Sequence, residues 1–192
     1  QHVISGIRFL TGVSTGVHHQ RFANAEVMQG ICANVVIPNL LFRESDEELF
    51  DDNPREYIRR DVEGSDTDTR RRAALELVRG LRKNYEQQVT HFFAADVSRL
   101  LAQYQASPAT EWRAKDAAIT LITAIAVKTA SAAQGATSTN ELVPVAEFYR
   151  SHILPELQAA PGTVHAVIRA DCIKFMTTFR RMLAVGAAEA KA

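Results

Sequence analysis

Arg71–Val78 reads RRAALELV, and its pattern returns twice, as KDAAITLI at Lys115–Ile122 and as RADCIKFM at Arg169–Met176. The order is basic, any, small or any, small, apolar, any, apolar, apolar. Each copy has one more apolar residue three positions on, at Leu81, Ile125 and Phe179. Apolar positions at this spacing fall on one face of a helix. The copies begin 44 and 54 residues apart.

Working outward, each copy follows a longer amphipathic run, such as VTHFFAADVSRLLAQY at Val89–Tyr104. Paired helices repeating at about 40–47 residues are the signature of an armadillo or HEAT-type solenoid, in which each pair hides its apolar face by stacking on its neighbours. The predicted fold is all-α, a right-handed α–α superhelix of about three helix pairs and one leftover helix, as a single segment over 1–192. Helices are expected at about 2–13, 25–42, 67–84, 86–106, 110–130, 141–158 and 164–183. The breakers TGVSTG, SPAT around Pro108, QGATSTN and AAPGT separate several of them. The second helices, from near Asp68, Arg113 and Val164, would line the concave side. Ala74 and Ala118 fall where paired helices approach.

SGIRFL near the start fits the same template, with Gly6, Ile7, Phe9 and Leu10 in the places of Ala74, Leu75, Leu77 and Val78. Gly6 to Ala74 is 68 residues, 24 more than the next spacing. The excess falls on residues 43–69, an insertion between the two helices of one repeat. Residues 44–69 hold Glu44, Asp46, Glu47, Glu48, Asp51, Asp52, Glu56, Asp61, Glu63, Asp66 and Asp68, half of the chain's 22 acids, against Arg55, Arg59 and Arg60. ESDEELF and PREYIRR read as short helical turns, with Pro54 at a first helical position. A run of charge is ordinarily a solvated face. This one interrupts a repeat, where insertions mark the binding side, and it carries Leu49, Phe50, Tyr57 and Ile58, which can pin it to the solenoid.

Beyond it, Arg70, Arg71 and Arg72 stand in the first turn of a helix, where the dipole disfavours positive charge. Asp66 and Asp68 can offset them, with Ser65 or Thr67 as the cap. The arginines therefore have two readings, self-satisfied structure and partner contact, and both can hold.

Composition bounds the rest. The 192 residues carry 22 basic and 22 acidic side chains, so no net charge draws the chain to nucleic acid or anionic lipid. The longest uncharged apolar run, AAITLITAIAV at Ala117–Val127, is too short to span a bilayer. Cys32 and Cys172 lie in apolar-periodic segments and read as buried free thiols. The chain opens on Gln1 within the amphipathic HVISGIRFL and reads as a segment of a longer protein.

The strings IPN, EYIRRD, EGSDTDTRRRAA, KDAAI, NELV and HILP carry a family resemblance from Ile31 to about Met182. They resemble the importin-α re-exporters, the cellular apoptosis susceptibility proteins, which are karyopherin-β relatives built of HEAT repeats. The resemblance implies a central segment of a nuclear export receptor that shuttles between nucleus and cytoplasm. Such a receptor binds importin-α together with the GTP form of the small GTPase Ran and releases both on hydrolysis, with no cofactor of its own. The eleven acids become candidate contacts for Ran or importin-α, with Glu47, Glu48, Asp51 and Asp52 steering encounter. Tyr57, Ile58, Arg59, Arg60, Arg70, Arg71 and Arg72 become candidate anchors. Two rival readings are an import-type karyopherin and a generic HEAT scaffold.

Other chemistry is weakly signalled. GSDTDTRRR departs from a calcium loop after two acids. His18 and His19 lie in a turn without a metal-site context, and His91 sits beside Phe92 and Phe93 as a packed or edge residue. Trp112 opens a helix and is expected against the preceding turn. No nucleophile motif, phosphate-cradling glycine loop or dinucleotide fingerprint accompanies the acids, so no enzyme, metal or nucleic-acid role is read.

Overall fold

The computed structural model describes residues 2–62 and 69–189. The candidate contacts Glu63, Asp66 and Asp68 and the candidate caps Ser65 and Thr67 lie outside the described residues, and Asp61 is described through its backbone alone. The chain forms two compact units, Gln1–Ile125 and Ala126–Ala192.

In the first unit, α1 (His2–Thr15) leads through a 3₁₀ turn to α2 (Ala25–Ile31). The Asn24 side chain caps α2 by accepting the N–H groups of Glu26 and Val27 at 2.8 and 3.2 Å. A π turn (Cys32–Val36) passes into α3 (Ile37–Leu40). Pro38 has no N–H and its ring crowds the carbonyl four residues back, so the helix widens just upstream. By length and apolarity alone the run Ala25–Asp52 could cross a membrane. It is broken at 41–43, and Met28, Cys32, Val36, Ile37 and Leu40 are spent on the core, so it reads as a core element.

After α4 (Glu44–Asp52), α5 (Pro54–Tyr57) and a π turn (Ile58–Val62), α6 runs from Arg70 to Ala106. The two helices expected at 67–84 and 86–106 form this one run, bent at Tyr85, whose φ −136°, ψ 42° is not helical. Its cap is Thr69, whose Oγ1 accepts the Arg72 N–H at 3.1 Å. α7 (Trp112–Ala126) completes the unit.

α1 packs along α6, and α3 with its π turn also lies on α6. The approach is closest at Gly80, where an added Cβ would meet Ser14 Oγ at 2.6 Å. Asn84 and Tyr85 tie the bend back to α1 and to the 3₁₀ turn after it: Asn84 donates to the Ser14 carbonyl and the Tyr85 hydroxyl to that of His19, both at 2.9 Å. Ala74, Leu77, Val78, Leu81, Phe93, Ala118, Leu121 and Ile125 are core, as the repeat pattern requires. Arg82 is buried too, and its guanidinium donates to the last carbonyls of α7, those of Ala124 and Ile125, at 2.9 and 3.0 Å. Burial lowers its pKa first, offset by Glu86.

The template fails on α1. Phe9 is 70% exposed where Leu77 is fully buried. The helix instead turns Ile7 and Ser14 inward toward α6.

In the second unit the helix expected over 110–130 gives way to a hairpin, β1 (Val127–Ser131) paired antiparallel with β2 (Gly135–Thr139). Val127 and Thr129 are β-branched and favour the pleated backbone, and Gly135 takes the positive φ of +73° that closes the turn. Short helices α8 (Val145–Phe148) and α9 (Leu154–Gln158) flank a π turn (Tyr149–Ile153) that again lies just upstream of a proline, Pro155. They pack with β2 on α10 (Ala166–Glu189), which bends at Phe179. Phe148, Ile153, Cys172, Phe175 and Phe179 form this core. Cys32 and Cys172 are both buried free thiols.

Candidate functional site

The acidic segment is held by an aromatic stack and a charged ring. Leu41–Arg43 leaves the helical path and places Phe42 beneath the segment. Phe42 lies 5.3 Å from Tyr57 and 4.9 Å, edge-on, from Trp112, and Phe50 meets Tyr57 edge-on at 5.5 Å. Trp112 packs on Phe42. Tyr57 is 1% exposed and Ile58 half-buried, so the aromatics tie the segment to the start of α7.

Local chemistry shapes the two short helices. The Asp46 carboxylate accepts the Arg43 backbone N–H at 3.0 Å, the reverse half of a capping box. Arg43 has no acceptor with which to supply the forward half. Glu44, Asp46 and Glu47 in the first turn of α4 match the positive end of its dipole. Asn53 caps α5 through the Glu56 N–H at 3.1 Å, with Pro54 at the first helical position.

Arg71 closes the ring. Its guanidinium donates to the Tyr57 hydroxyl at 3.1 Å, to Thr120 Oγ1 at 3.3 Å and to the Asp116 carboxylate. Asp116 is fully buried, so this pair lies out of water and holds three elements together. Breaking such a pair from one side costs about 3–5 kcal/mol, because a buried charge is left behind. Arg113 pairs with Glu47 and lies over the Trp112 ring, 5.0 Å from its centre. Arg60 reaches Asp46 at 3.4 Å, and Arg59 reaches Glu56 at 2.8 Å.

Of the opening arginines, Arg70 donates to Asn39 at 3.5 Å, Arg72 pairs with Glu76 at 3.4 Å, and Arg71 points into the segment. Among the described acids, Asp46, Glu47 and Glu56 are thus engaged within the chain. Glu44, Glu48, Asp51 and Asp52 are exposed. Glu47, assigned to steering by the sequence reading, is held by Arg113. Residue reading missed Phe42, Trp112, Arg113, Asp116 and Thr120. The one signal for Asp116 was an acid standing directly before the apolar run AAITLITAIAV.

Phe42, Arg43, Glu44, Ser45 and Arg113 line an open concavity of about 590 Å³. Among the described residues no group of three or more His, Cys, Asp or Glu is placed to share a metal. His19 Nδ1 is 2.9 Å from the Tyr85 hydroxyl, and His91 is exposed, edge-on to Phe92.

These features define the class: an all-α helical-repeat protein, with one hairpin, that carries an anchored acidic segment. The model of the Cse1 family matches residues 1–189. The chain is 47% identical over 181 residues to Exportin-2 of Dictyostelium discoideum and 45% identical over 182 to that of Homo sapiens. Each match takes in 94% of this chain and 19% of the relative, so the chain spans about a fifth of their length. A solved structure, described as the exportin Cse1 in its cargo-free, cytoplasmic state, superposes with a TM-score of 0.87 at 39% identity, covering 94% of this chain and 20% of that one. The chain belongs to the Cse1 family.

Proposed function

We propose that this chain is a central solenoid segment of a nuclear export receptor that carries importin-α from nucleus to cytoplasm in complex with Ran-GTP. In this reading residues 43–69 form an insertion between the two helices of one repeat and supply a partner contact. The observation that carries it is the division of labour among the acids. Glu47 through Arg113 and Tyr57 through Arg71 hold the segment to its support, while Asp46 and Glu56 pair with Arg60 and Arg59 inside it, which leaves Glu44, Glu48, Asp51 and Asp52 as exposed acids. A cluster of exposed acids on a held segment is suited to steering a basic partner. The export direction is supported by relatives that are exportins, which disfavours both the import-type reading and a generic scaffold. A transport receptor needs no catalytic group of its own, and the nucleotide belongs to Ran.

The test uses the whole receptor. Importin-α is expected on the beads only when GTP-loaded Ran is present. Reversing Glu44, Glu48, Asp51 and Asp52 to lysine should slow association of Ran-GTP or importin-α about tenfold or more at low salt. The loss should shrink as salt is raised, since screening lengths fall to about 8 Å at physiological ionic strength. Unchanged stopped-flow association with both partners at low salt would return the segment to a solvated face.

A further inference from the structure

Ser45 is exposed at the second position of α4 and is followed directly by Asp46, Glu47 and Glu48. It also lines the concavity that Arg43 and Arg113 line. We propose that Ser45 is a phosphorylation site for an acid-directed protein serine kinase, and that Arg43 and Arg113 hold the phosphate once it is made. This stands apart from the export reading.

Three carboxylates immediately after a hydroxyl form the charge pattern a kinase with a basic substrate cleft selects. Ser138, exposed on the hairpin, has a single acid, Glu141, at the third following position and lacks the pattern. A kinase takes its substrate extended, so the first turn of α4 must open locally, giving up the Asp46 cap and the Glu47–Arg113 pair. None of its nine residues is buried. It is bounded by non-helical Arg43 (φ −111°, ψ 166°) and Asn53 (φ −148°, ψ 79°). It is also shorter than the roughly 12–15 residues at which a helix becomes stable alone. Opening one turn of so short a helix costs less than opening the core.

In the reaction, Ser45 Oγ attacks the γ-phosphorus of magnesium-bound ATP. A new O–P bond forms, the bond to the β-bridging oxygen breaks, ADP leaves, and the hydroxyl proton passes to the kinase's base. The product places nearly two negative charges at a helix N-terminus, the favourable end of the dipole. Arg43 is exposed on the residue where that helix starts. Arg113 already binds a carboxylate there, that of Glu47, and its fork suits phosphate oxygens equally.

The test is incubation of the folded chain with casein kinase 2 and magnesium ATP, with sites mapped by mass spectrometry. Phosphate is expected on Ser45 and absent there in Ser45→Ala, and is counted apart from any on Ser65, which Asp66 and Asp68 follow in the sequence. Neutralising Asp46, Glu47 and Glu48 to their amides should lower kcat/KM at least tenfold. Failure of the folded chain to accept phosphate while a peptide of residues 40–54 accepts it would overturn the proposal, as would label confined to any other hydroxyl. Phosphorus NMR tests the clamp. The second ionisation of the phosphate should lie below that of the phosphopeptide and return toward it in Arg43→Ala/Arg113→Ala. Titration like the free peptide's would refute the arginine clamp.

Discussion

At the scale of single residues, packing follows the repeat. Ala74 and Ala118 occupy equivalent places in the first two copies and are both fully buried. Enlarging either to leucine should lower stability by about 1–3 kcal/mol, since a full core takes extra methylenes only through off-rotamer side chains and backbone shifts. Urea midpoints measure this, and unchanged midpoints in both variants would mean that the repeat register is displaced. Cys32 makes a pH-dependent prediction. Burial, then the charge of Asp96, pushes its thiol from 9.0 up to about 12. The unfolded thiol ionises near its ordinary value, so from there upward the unfolded state holds fewer protons than the folded one. Stability is then fully present below pH 9.0 and lost as pH climbs toward 12. Cys32→Ala should show a shallower alkaline decline in denaturant midpoints, and an equal decline would assign the effect to other groups. These alaninyl and thiol sites were legible because side-chain size and spacing suffice to find them. The Arg71–Asp116 pair was not, because its partners lie 45 residues apart on different helices.

At the scale of elements, the sequence located most helices and the Tyr85 break but missed what bends them. Two of the π turns, Cys32–Val36 and Tyr149–Ile153, end two residues before a proline, at Pro38 and Pro155. The strings IPN and HILP thus mark a widened turn as well as a family. The hairpin was hidden because VKTAS directly follows the helical AAITLITAIA and QGATSTN reads as a breaker. Only the β-branched residues and Gly135 argued for strands. That glycine has a second task, because its turn docks on the bend of α10. Arg180 and Arg181 reach over the turn to the Ala133 carbonyl at 2.6 Å and the Gln134 side chain at 2.8 Å. A Cβ at Gly135 would lie 2.4 Å from the Thr178 carbonyl oxygen and would have to be held at φ +73°. Gly135→Ala should therefore lift the turn from α10 at a cost of about 1–3 kcal/mol. Amide exchange across 127–139 should speed up while α6 stays protected. Wild-type exchange in the hairpin would disprove the docking constraint.

At the scale of the whole molecule, the decisive quantity is apolar surface without a neighbour. Phe9 is 70% exposed and Val3 50% on α1, and Ile173 is 55% exposed on α10 with Met176 beside it. Helical repeats bury such faces by stacking on the next pair, and the relatives are about five times as long as this chain. The same logic explains why α1 and α10 depart from the burial pattern of Arg71–Val78 while Lys115–Ile122 keeps it. Phe9 and Met176 stand exposed in the places where Leu77 and Val78 are fully buried, and Ile173 where Leu75 is half-buried, so these apolar side chains lack a covering neighbour within the chain. Apolar patches of this kind drive association, so the chain by itself should sediment as a concentration-dependent mixture of oligomers. Phe9→Lys with Ile173→Lys should shift it toward monomer with little loss of helix, because both side chains already stand in water. Sedimentation velocity over a hundredfold concentration range reads this directly. A wild-type chain that stays strictly monomeric throughout would show that these faces are too small or too dispersed to act as stacking surfaces.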